Sequence, residues 1–183
     1  MKKTCSPLFF SFFSGTISTC LFVFSAAAQS GDSETPIEEK EVKQVILPET
    51  LLDQKGEKVS AGILEGKFVG LYFSASWCGP CRAFTPSLIK FRDAHKNDFE
   101  VILVGADGSP KAQANYMRKY KMPWLAIKNQ SREAMEISKS LGVPHIPYLV
   151  VLDPDGNIVS KNGTKEIIRS GTEAFGTWKK LPK

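Results

Sequence analysis

Apolar positions along the chain form short runs of two different periods. The runs at 68–75 and 99–106 are almost wholly apolar and rich in β-branched and aromatic residues, which predicts strands buried on both faces of a sheet. Between them, apolar residues recur at helical spacing, so we predict a helix from about Cys78 to Lys96, kinked near Pro86 because proline breaks a backbone hydrogen bond there.

The same alternation continues on both sides of this unit. Before it we expect a hairpin over 46–66 with its turn at 53–56. After it the patterns predict a helix over 111–121 that Ser109 caps, a strand over 124–127, a helix over 132–141 closed by Gly142, strands over 147–152 and 157–160, and an amphipathic helix over 165–175. Strands that alternate with helices and end in a hairpin predict an α/β fold, with a central mixed β-sheet flanked by helices on both faces.

The first 28 residues differ from the rest of the chain. Lys2 and Lys3 precede an apolar stretch from Leu8 to Phe24, and three alanines at 26–28 provide small residues for cleavage before Gln29. We therefore predict a signal peptide over 1–28 and a periplasmic or secreted protein with no stable membrane association after cleavage. An uncleaved anchor is the alternative, since about 17 apolar residues is near the lower limit for a membrane span.

Residues 29–44 are polar and charged, which predicts a flexible linker that cannot bury enough surface to order itself. One domain is expected over 45–183. The formal net charge of +5 falls by two when Lys2 and Lys3 leave with the signal peptide. The sequence has no Lys/Arg cluster with interleaved aromatic residues, so we expect no nucleic acid partner.

After the predicted cleavage two cysteines remain, Cys78 and Cys81, in the segment Ser-Trp-Cys-Gly-Pro-Cys-Arg at 76–82. Cys78 falls at the predicted start of a helix, where free N–H groups and the positive end of the helix dipole favour a thiolate and lower its pKa. Cys81 follows one turn later, close enough to form a disulfide with it. The spacing predicts a dithiol pair, with Cys78 as an exposed, activated sulfur and Cys81 as the resolving sulfur behind it.

Two other interpretations of the cysteines are weaker. A structural zinc site needs two further ligands, and the two histidines, His95 and His145, show no ligand spacing. A purely structural disulfide in an exported protein usually joins distant loops rather than neighbouring residues. We therefore expect no metal, and since no glycine-rich phosphate loop is present, no nucleotide or flavin cofactor.

Several segments resemble the tryparedoxin and nucleoredoxin branch of the thioredoxin superfamily. They are Tyr-Phe-Ser-Ala-Ser-Trp-Cys-Gly-Pro-Cys-Arg-Ala-Phe-Thr-Pro at 72–86, Met-Pro-Trp-Leu-Ala at 122–126, Ile-Pro at 146–147 and Leu-Asp-Pro-Asp-Gly at 152–156. The resemblance covers about Ile46 to Asn162 and implies a thioredoxin-like fold. It also implies that Cys78 attacks, Cys81 resolves and Pro147 is a cis-proline whose loop faces the cysteines. The substrate-binding residues that it implies are Trp77, Gly79, Pro80, Ile146 and Pro147.

The chain departs from this branch in three ways. Gly79 stands where tryparedoxins usually carry a second proline, and the resulting Gly-Pro dipeptide is that of thioredoxin itself, which favours a reductant. Tyr72 stands where thioredoxins keep a buried aspartate, so the group that accepts the proton of Cys81 is unidentified. The branch is typically intracellular, whereas this chain begins with a predicted export signal.

These patterns together predict an exported thiol-disulfide oxidoreductase that reduces protein disulfides and serves redox homeostasis. We expect a monomer that acts on disulfide-bearing proteins and is returned to its dithiol form by an unidentified redox partner. The alternatives are a disulfide oxidase or isomerase, or a module that binds client proteins without turnover. His145 is expected to be a surface loop histidine, and Phe84 and Trp124 are expected in the core.

Overall fold

The computed structural model describes residues 44–180, so the predicted signal peptide and residues 29–43 of the predicted linker lie outside the described residues. The strands are β1 (Thr50–Leu52), β2 (Lys58–Ser60), β3 (Phe68–Ser74), β4 (Phe99–Gly105), β5 (Leu125–Ala126), β6 (Tyr148–Leu152) and β7 (Ile158–Ser160). The α-helices are α1 (Gly79–Ala94), α2 (Pro110–Lys119), α3 (Arg132–Ser140), α4 (Gly163–Ser170) and α5 (Ala174–Trp178), and 3₁₀ turns occupy Ala61–Leu64 and Gly171–Glu173. Within this part of the chain, no helix is both long enough and apolar enough to cross a membrane.

The strands form one mixed sheet in the order β2-β1-β5-β4-β3-β6-β7. Strand β3 runs parallel to β4 and antiparallel to β6. The carboxyl ends of β3 and β4 therefore share one edge of the sheet with the amino end of β6. The loops at this edge carry the cysteine pair, residues 106–109 and the Ile146–Pro147 step. This arrangement confirms the predicted mixed sheet, and it brings together segments that are far apart in sequence.

Helices cover both faces of the sheet, as predicted. On one face α1, α2, α4 and α5 pack against a core that includes Phe84, Phe91, Trp124 and Trp178. On the other face α3 packs against alternate residues of the same strands. Neighbouring residues of β3 show the alternation, since Leu71 belongs to the second core and Tyr72 to the first. Phe84 and Trp124 are buried in the core, as expected.

Side-chain caps fix the starts of two helices. The Oγ atom of Ser109 accepts a hydrogen bond from the backbone N–H of Ala112, and Pro110 occupies the first position of α2. Ser131 caps α3 in the same way. Gly142 follows α3 with a φ of 60°, a conformation that favours glycine at helix ends.

At the start of the described residues, Gln44 pairs with Asn157 in an isolated bridge.

The prediction of one continuous helix over 165–175 is wrong. Helix α4 ends at Ser170, a 3₁₀ turn follows, and α5 begins at Ala174. Gly171 has a φ of 55°, which interrupts the helix. The apolar residues Ile167 and Phe175 of the predicted helix still reach the same core, together with Trp178.

Candidate active site

The cysteine pair lies where β3 leads into α1. Cys78 is the N-cap of α1, and its sulfur accepts a hydrogen bond from the backbone N–H of Cys81 at 3.1 Å. The two cysteines form a disulfide, and their Cα atoms are 5.2 Å apart. The helix begins at Gly79, with Pro80 in its first turn, where the missing N–H of proline costs no hydrogen bond. The chain therefore places Cys78 at a helix N-terminus, as its sequence predicted.

The two sulfur-bearing residues differ in accessibility. Cys78 is 6% exposed and Cys81 is fully buried. Cys78, Cys81 and Ala75 form a small buried cluster against which Ile146 packs. Cys78 is much less exposed than predicted, because this small apolar cluster covers it. It is nevertheless the member of the pair that solvent reaches, so an incoming group meets Cys78 before Cys81.

The predicted substrate-binding residues surround the disulfide. Trp77 is 66% exposed, and its indole N–H donates to the carbonyl oxygen of Ala106 at 3.3 Å. Gly79 and Pro80 are exposed in the first turn of α1, and Ile146 and Pro147 are half-buried. The Ile146–Pro147 peptide bond is cis, which confirms the prediction for Pro147. Their role in binding a substrate stays a prediction.

Asp107 ties the segment before the cysteines to the loop after β4, and sequence reasoning missed it. Its Oδ1 atom accepts hydrogen bonds from the backbone N–H of Ser76 at 3.0 Å and from the Ser76 hydroxyl at 2.6 Å. Asn129 donates from Nδ2 to the backbone oxygens of Gly105 and Asp107. Asp107 is 2% exposed, and its Oδ2 atom has no hydrogen-bond partner among the described residues. Its position directly after a buried strand was the signal that could have found it.

A chain of buried hydroxyl groups lies beneath Cys81, and it too was missed. The hydroxyl of Tyr72 donates to the carbonyl oxygen of Cys81 at 3.0 Å, and the hydroxyl of Thr85 lies 2.9 Å from the same oxygen. Tyr116 joins Thr85 to Ser74, with oxygen separations of 3.2 and 3.0 Å. Burial raises the pKa of Tyr72 well above its usual value, so this hydroxyl keeps its proton at neutral pH.

Arg82 places a positive charge near the first turn of α1. The guanidinium of Arg82 folds back toward Gly79, so that a Cβ on Gly79 would lie 3.9 Å from its Nη2 atom. The first turn of α1 contains no acidic residue. Once the disulfide is reduced, Arg82 and the N-terminus of α1 both favour a thiolate on Cys78.

The two histidines lie apart from this chemistry. His145 is an exposed loop residue, as expected, and its ring packs edge-on against Tyr148 with 5.4 Å between centroids. His95 lies at the C-terminal end of α1, where its Nε2 atom is 2.9 Å from the carbonyl oxygen of Thr172. No group of three or more His, Cys, Asp or Glu residues within 44–180 is arranged to hold a metal ion.

Comparison with known proteins places this geometry in a family. The family model described as Thioredoxin-like matches residues 66–158. Tryparedoxin from Trypanosoma brucei brucei is 41% identical over 132 residues, which are 70% of this chain and 90% of that protein. A solved structure of tryparedoxin from Trypanosoma brucei superposes with a TM-score of 0.64 and 40% identity, covering 72% of this chain and 94% of the other.

Nucleoredoxins match over a smaller part of their length. Human nucleoredoxin is 37% identical over 124 residues, which are 64% of this chain. The chain spans only about a quarter of the length of the nucleoredoxins it matches, 28% for the human protein. The matched region contains the cysteine pair, the cis-proline and the strands that position them. The chain belongs to the thioredoxin-like family, with tryparedoxins and nucleoredoxins as its homologues.

Proposed function

We propose that this protein is an exported thiol-disulfide oxidoreductase that reduces protein disulfides with Cys78 and Cys81. One observation carries the proposal: a disulfide at a helix N-terminus joins a cysteine that solvent reaches to one that is fully buried, beside a cis-proline. A structural disulfide needs neither the helix N-terminus nor the difference in accessibility. Membership in a family of redox proteins supports the same chemistry.

The reaction begins from the dithiol form. The thiolate of Cys78 attacks one sulfur of the substrate disulfide, forms a mixed disulfide and displaces the other substrate sulfur as a thiolate, which takes up a proton. Cys81 then loses its proton and attacks the sulfur of Cys78. This step releases the second substrate thiolate and closes the Cys78–Cys81 disulfide. Two electrons pass to the substrate, and the structure corresponds to the oxidised protein.

Single cysteine variants test the order of attack. We expect Cys78→Ser to abolish reduction of a disulfide-bonded protein such as insulin. Cys81→Ser should form a mixed disulfide with the same substrate and then stop, because the resolving sulfur is absent. Mass spectrometry of the trapped complex identifies the cysteine involved. A mixed disulfide through Cys81 in the Cys78→Ser variant, or full activity in that variant, would contradict the proposal.

The direction of electron flow requires a separate measurement. The Gly79-Pro80 dipeptide between the cysteines favours a reductant. We therefore expect an equilibrium reduction potential close to that of thioredoxin, about −270 mV, measured by thiol alkylation in buffers of defined potential. A value between about −120 and −180 mV would instead identify an oxidase or isomerase.

Export is proposed from the sequence of the first 28 residues. When the chain is expressed in a Gram-negative bacterium, we expect the periplasmic fraction to contain a protein that begins at Gln29. Intact-mass analysis and N-terminal sequencing measure this directly. A chain that keeps residues 1–28 in the membrane fraction would identify an uncleaved anchor.

A further inference from the structure

Two clefts lined by residues near the cysteine pair in the fold carry cations, one between α1 and α2 and the other beside the cis-proline loop. The first, of about 240 Å³, lies between α1 and α2 and is lined by Ser76, Arg82 and Lys119, together with Ala112, Asn115 and two tyrosines. Ser76 and Arg82 stand immediately before and after the segment that contains the cysteine pair. This cleft is therefore lined by the two residues that flank the segment of the cysteine pair.

The second cleft, of about 210 Å³, is lined by Pro147 and lies next to α4. Its cations are Lys161 and Lys165, with His145 also on its wall. Ile146, the residue before Pro147, packs against the cluster of Ala75 and the two cysteines, so the cis-proline loop connects this cleft to the cysteine pair. Asn162 provides no side-chain cap for α4, and the one acidic residue of the first turn, Glu166, accepts hydrogen bonds from Ser160 and Trp178.

The cations that line these clefts are exposed. We call Arg82, Lys119, Lys161 and Lys165 the basic rim; all four are exposed. The ion pairs found among residues 44–180 involve other side chains. Neither cleft is lined by an acidic residue. A third cleft, of about 540 Å³ beside Ile146, is lined by Asp107, which is buried and bonded to Ser76.

We propose that the basic rim docks disulfide-bearing proteins whose acidic side chains flank the disulfide that is reduced. The inference rests on the proposed function and specifies its substrate class. The two clefts are built by different elements, α1 and α2 on one side and the cis-proline loop with α4 on the other. A protein surface reaches both at once, whereas a small disulfide with a carboxylate fills one. Complementary charges accelerate the association of two proteins, and this acceleration weakens as the salt concentration rises.

The test uses three model peptides that share one intramolecular disulfide. Their flanking residues are four Asp, four Lys or four Ser, and oxidised glutathione is the small-molecule probe. Single-turnover reduction by the dithiol form of the full chain is followed at low salt and at physiological salt. We expect the acidic peptide to react at least ten times faster than the basic one at low salt. Physiological salt should reduce this ratio several-fold.

Charge-reversal variants test whether the lysines of the basic rim cause the preference for the acidic peptide. The variant Lys119→Glu/Lys161→Glu/Lys165→Glu should lose the preference for the acidic peptide and react faster with the basic one. The matched control, Lys55→Glu/Lys58→Glu/Lys90→Glu, changes the net charge equally at exposed lysines that line neither cleft. The control should keep most of the wild-type ratio. The reaction with the serine peptide should be similar in all three proteins, because no charge is recognised.

The outcomes separate this inference from the proposed function. If the serine peptide is reduced but the three peptides react equally, or if the control loses as much preference as the rim variant, the basic rim does not dock acidic partners. If oxidised glutathione shows the same salt dependence and the same loss in the rim variant, the site recognises a small carboxylate, and the proposal of a protein surface is overturned. If no peptide is reduced at all, the proposed function fails first.

Discussion

Tyr72 lies beneath the disulfide, at the position where thioredoxins keep an aspartate. The difference decides whether a buried group at this position can accept a proton. The hydroxyl of Tyr72 donates to the backbone oxygen of Cys81 rather than to a sulfur atom. Because burial raises its pKa, Tyr72 acts as a hydrogen-bond donor at neutral pH and not as a base. The neighbouring hydroxyls of Ser74, Thr85 and Tyr116 supply no carboxylate either. The buried network therefore holds Cys81 in position without accepting its proton.

The raised pKa of Tyr72 predicts a loss of stability in alkali. Below pH 10 the tyrosine is protonated in both the folded and unfolded states. Above pH 10 the unfolded chain releases this proton while the folded chain retains it, so the free energy of unfolding falls as pH rises toward the folded-state pKa. The expected contribution is about 1.4 kcal/mol per pH unit. Urea unfolding of the oxidised protein between about pH 9 and pH 11.5 measures this slope.

The variant Tyr72→Phe isolates the effect. At pH 7 it should unfold about 1–2 kcal/mol more easily, because the hydrogen bond to Cys81 is lost. Its stability should then fall less steeply above pH 10 than that of the wild type. Tyr120→Phe, which changes a half-buried tyrosine, is the control and should keep the wild-type slope. An unchanged slope in Tyr72→Phe would mean that another group causes the alkaline loss.

Asp107 is a positioning residue for the segment that carries Trp77 and Cys78. Two hydrogen bonds of its side chain go to Ser76 through one carboxylate oxygen. Asp107→Ala removes that acceptor, and we expect about a tenfold slower attack on a disulfide peptide, with a shifted pH profile of the Cys78 reaction. Asp107→Asn retains an acceptor at Oδ1 and should restore most of the rate. If both variants react like the wild type while Asp107→Ala is merely less stable, its role is structural only.

At the scale of elements, periodicity predicted strands β3 to β7 and helices α1 to α3 to within about two residues, whereas β1 and β2 were predicted only as an undivided hairpin over 46–66. The prediction was accurate where a sequence pattern fits only one kind of structure. Examples are the apolar runs of β3 and β4 and the Ser-Pro start of α2. The prediction failed at the C-terminus, because apolar residues on two short helices follow the same spacing as on one long helix. Only the positive φ of Gly171 distinguishes the two.

The same limit applies to the site. The sequence located Cys78 and Cys81 because they form a short motif with its own chemistry, whereas the cis-proline at Pro147 was implied only by the resemblance to tryparedoxins and nucleoredoxins. It did not reveal the contact between Asp107 and Ser76, since 31 residues separate the two and only the parallel pairing of β3 with β4 joins them. The burial of Cys78 was missed for the same reason, because Ile146 covers it from a distant loop.

Helix α4 approaches β6 closely at Gly163. We therefore expect two glycine variants, one in α4 and one in α5, to differ in their free energy of unfolding. A Cβ at Gly163 would lie 2.9 Å from the backbone oxygen of Leu149 in β6. Gly163→Ala should therefore lower the free energy of unfolding by about 1–3 kcal/mol. Gly176 in α5 has open space around its Cβ position, so Gly176→Ala should be neutral or stabilise by up to about 1 kcal/mol.

Urea unfolding of both variants at neutral pH measures this pair. The two substitutions add the same methyl group to a glycine within a helix, so helix propensity favours alanine in both. A destabilised Gly163→Ala beside an unaffected Gly176→Ala would assign the cost to the contact with β6. Equal effects would mean that α4 can move away from the sheet.

At the scale of the whole molecule, the first described residues are part of the fold and not of the linker. The backbone N–H of Val45 donates to the carbonyl oxygen of Gly156 at 2.9 Å, and the side chain of Gln44 donates to the carbonyl oxygen of Asp155 at 2.8 Å. Val45 is buried in the core that α3 covers. Gln44 and Val45 thus hydrogen-bond to the turn between β6 and β7.

Truncation tests where the cooperative unit begins. Fragments 29–183 and 44–183 should have similar free energies of unfolding, because residues 29–43 are polar and bury little apolar surface. Fragment 50–183 should be less stable by about 2–4 kcal/mol, since it loses the buried side chain of Val45 and its hydrogen bond. Urea unfolding of the three oxidised fragments provides the comparison. A loss of stability already in 44–183 would place part of the predicted linker inside the folded domain.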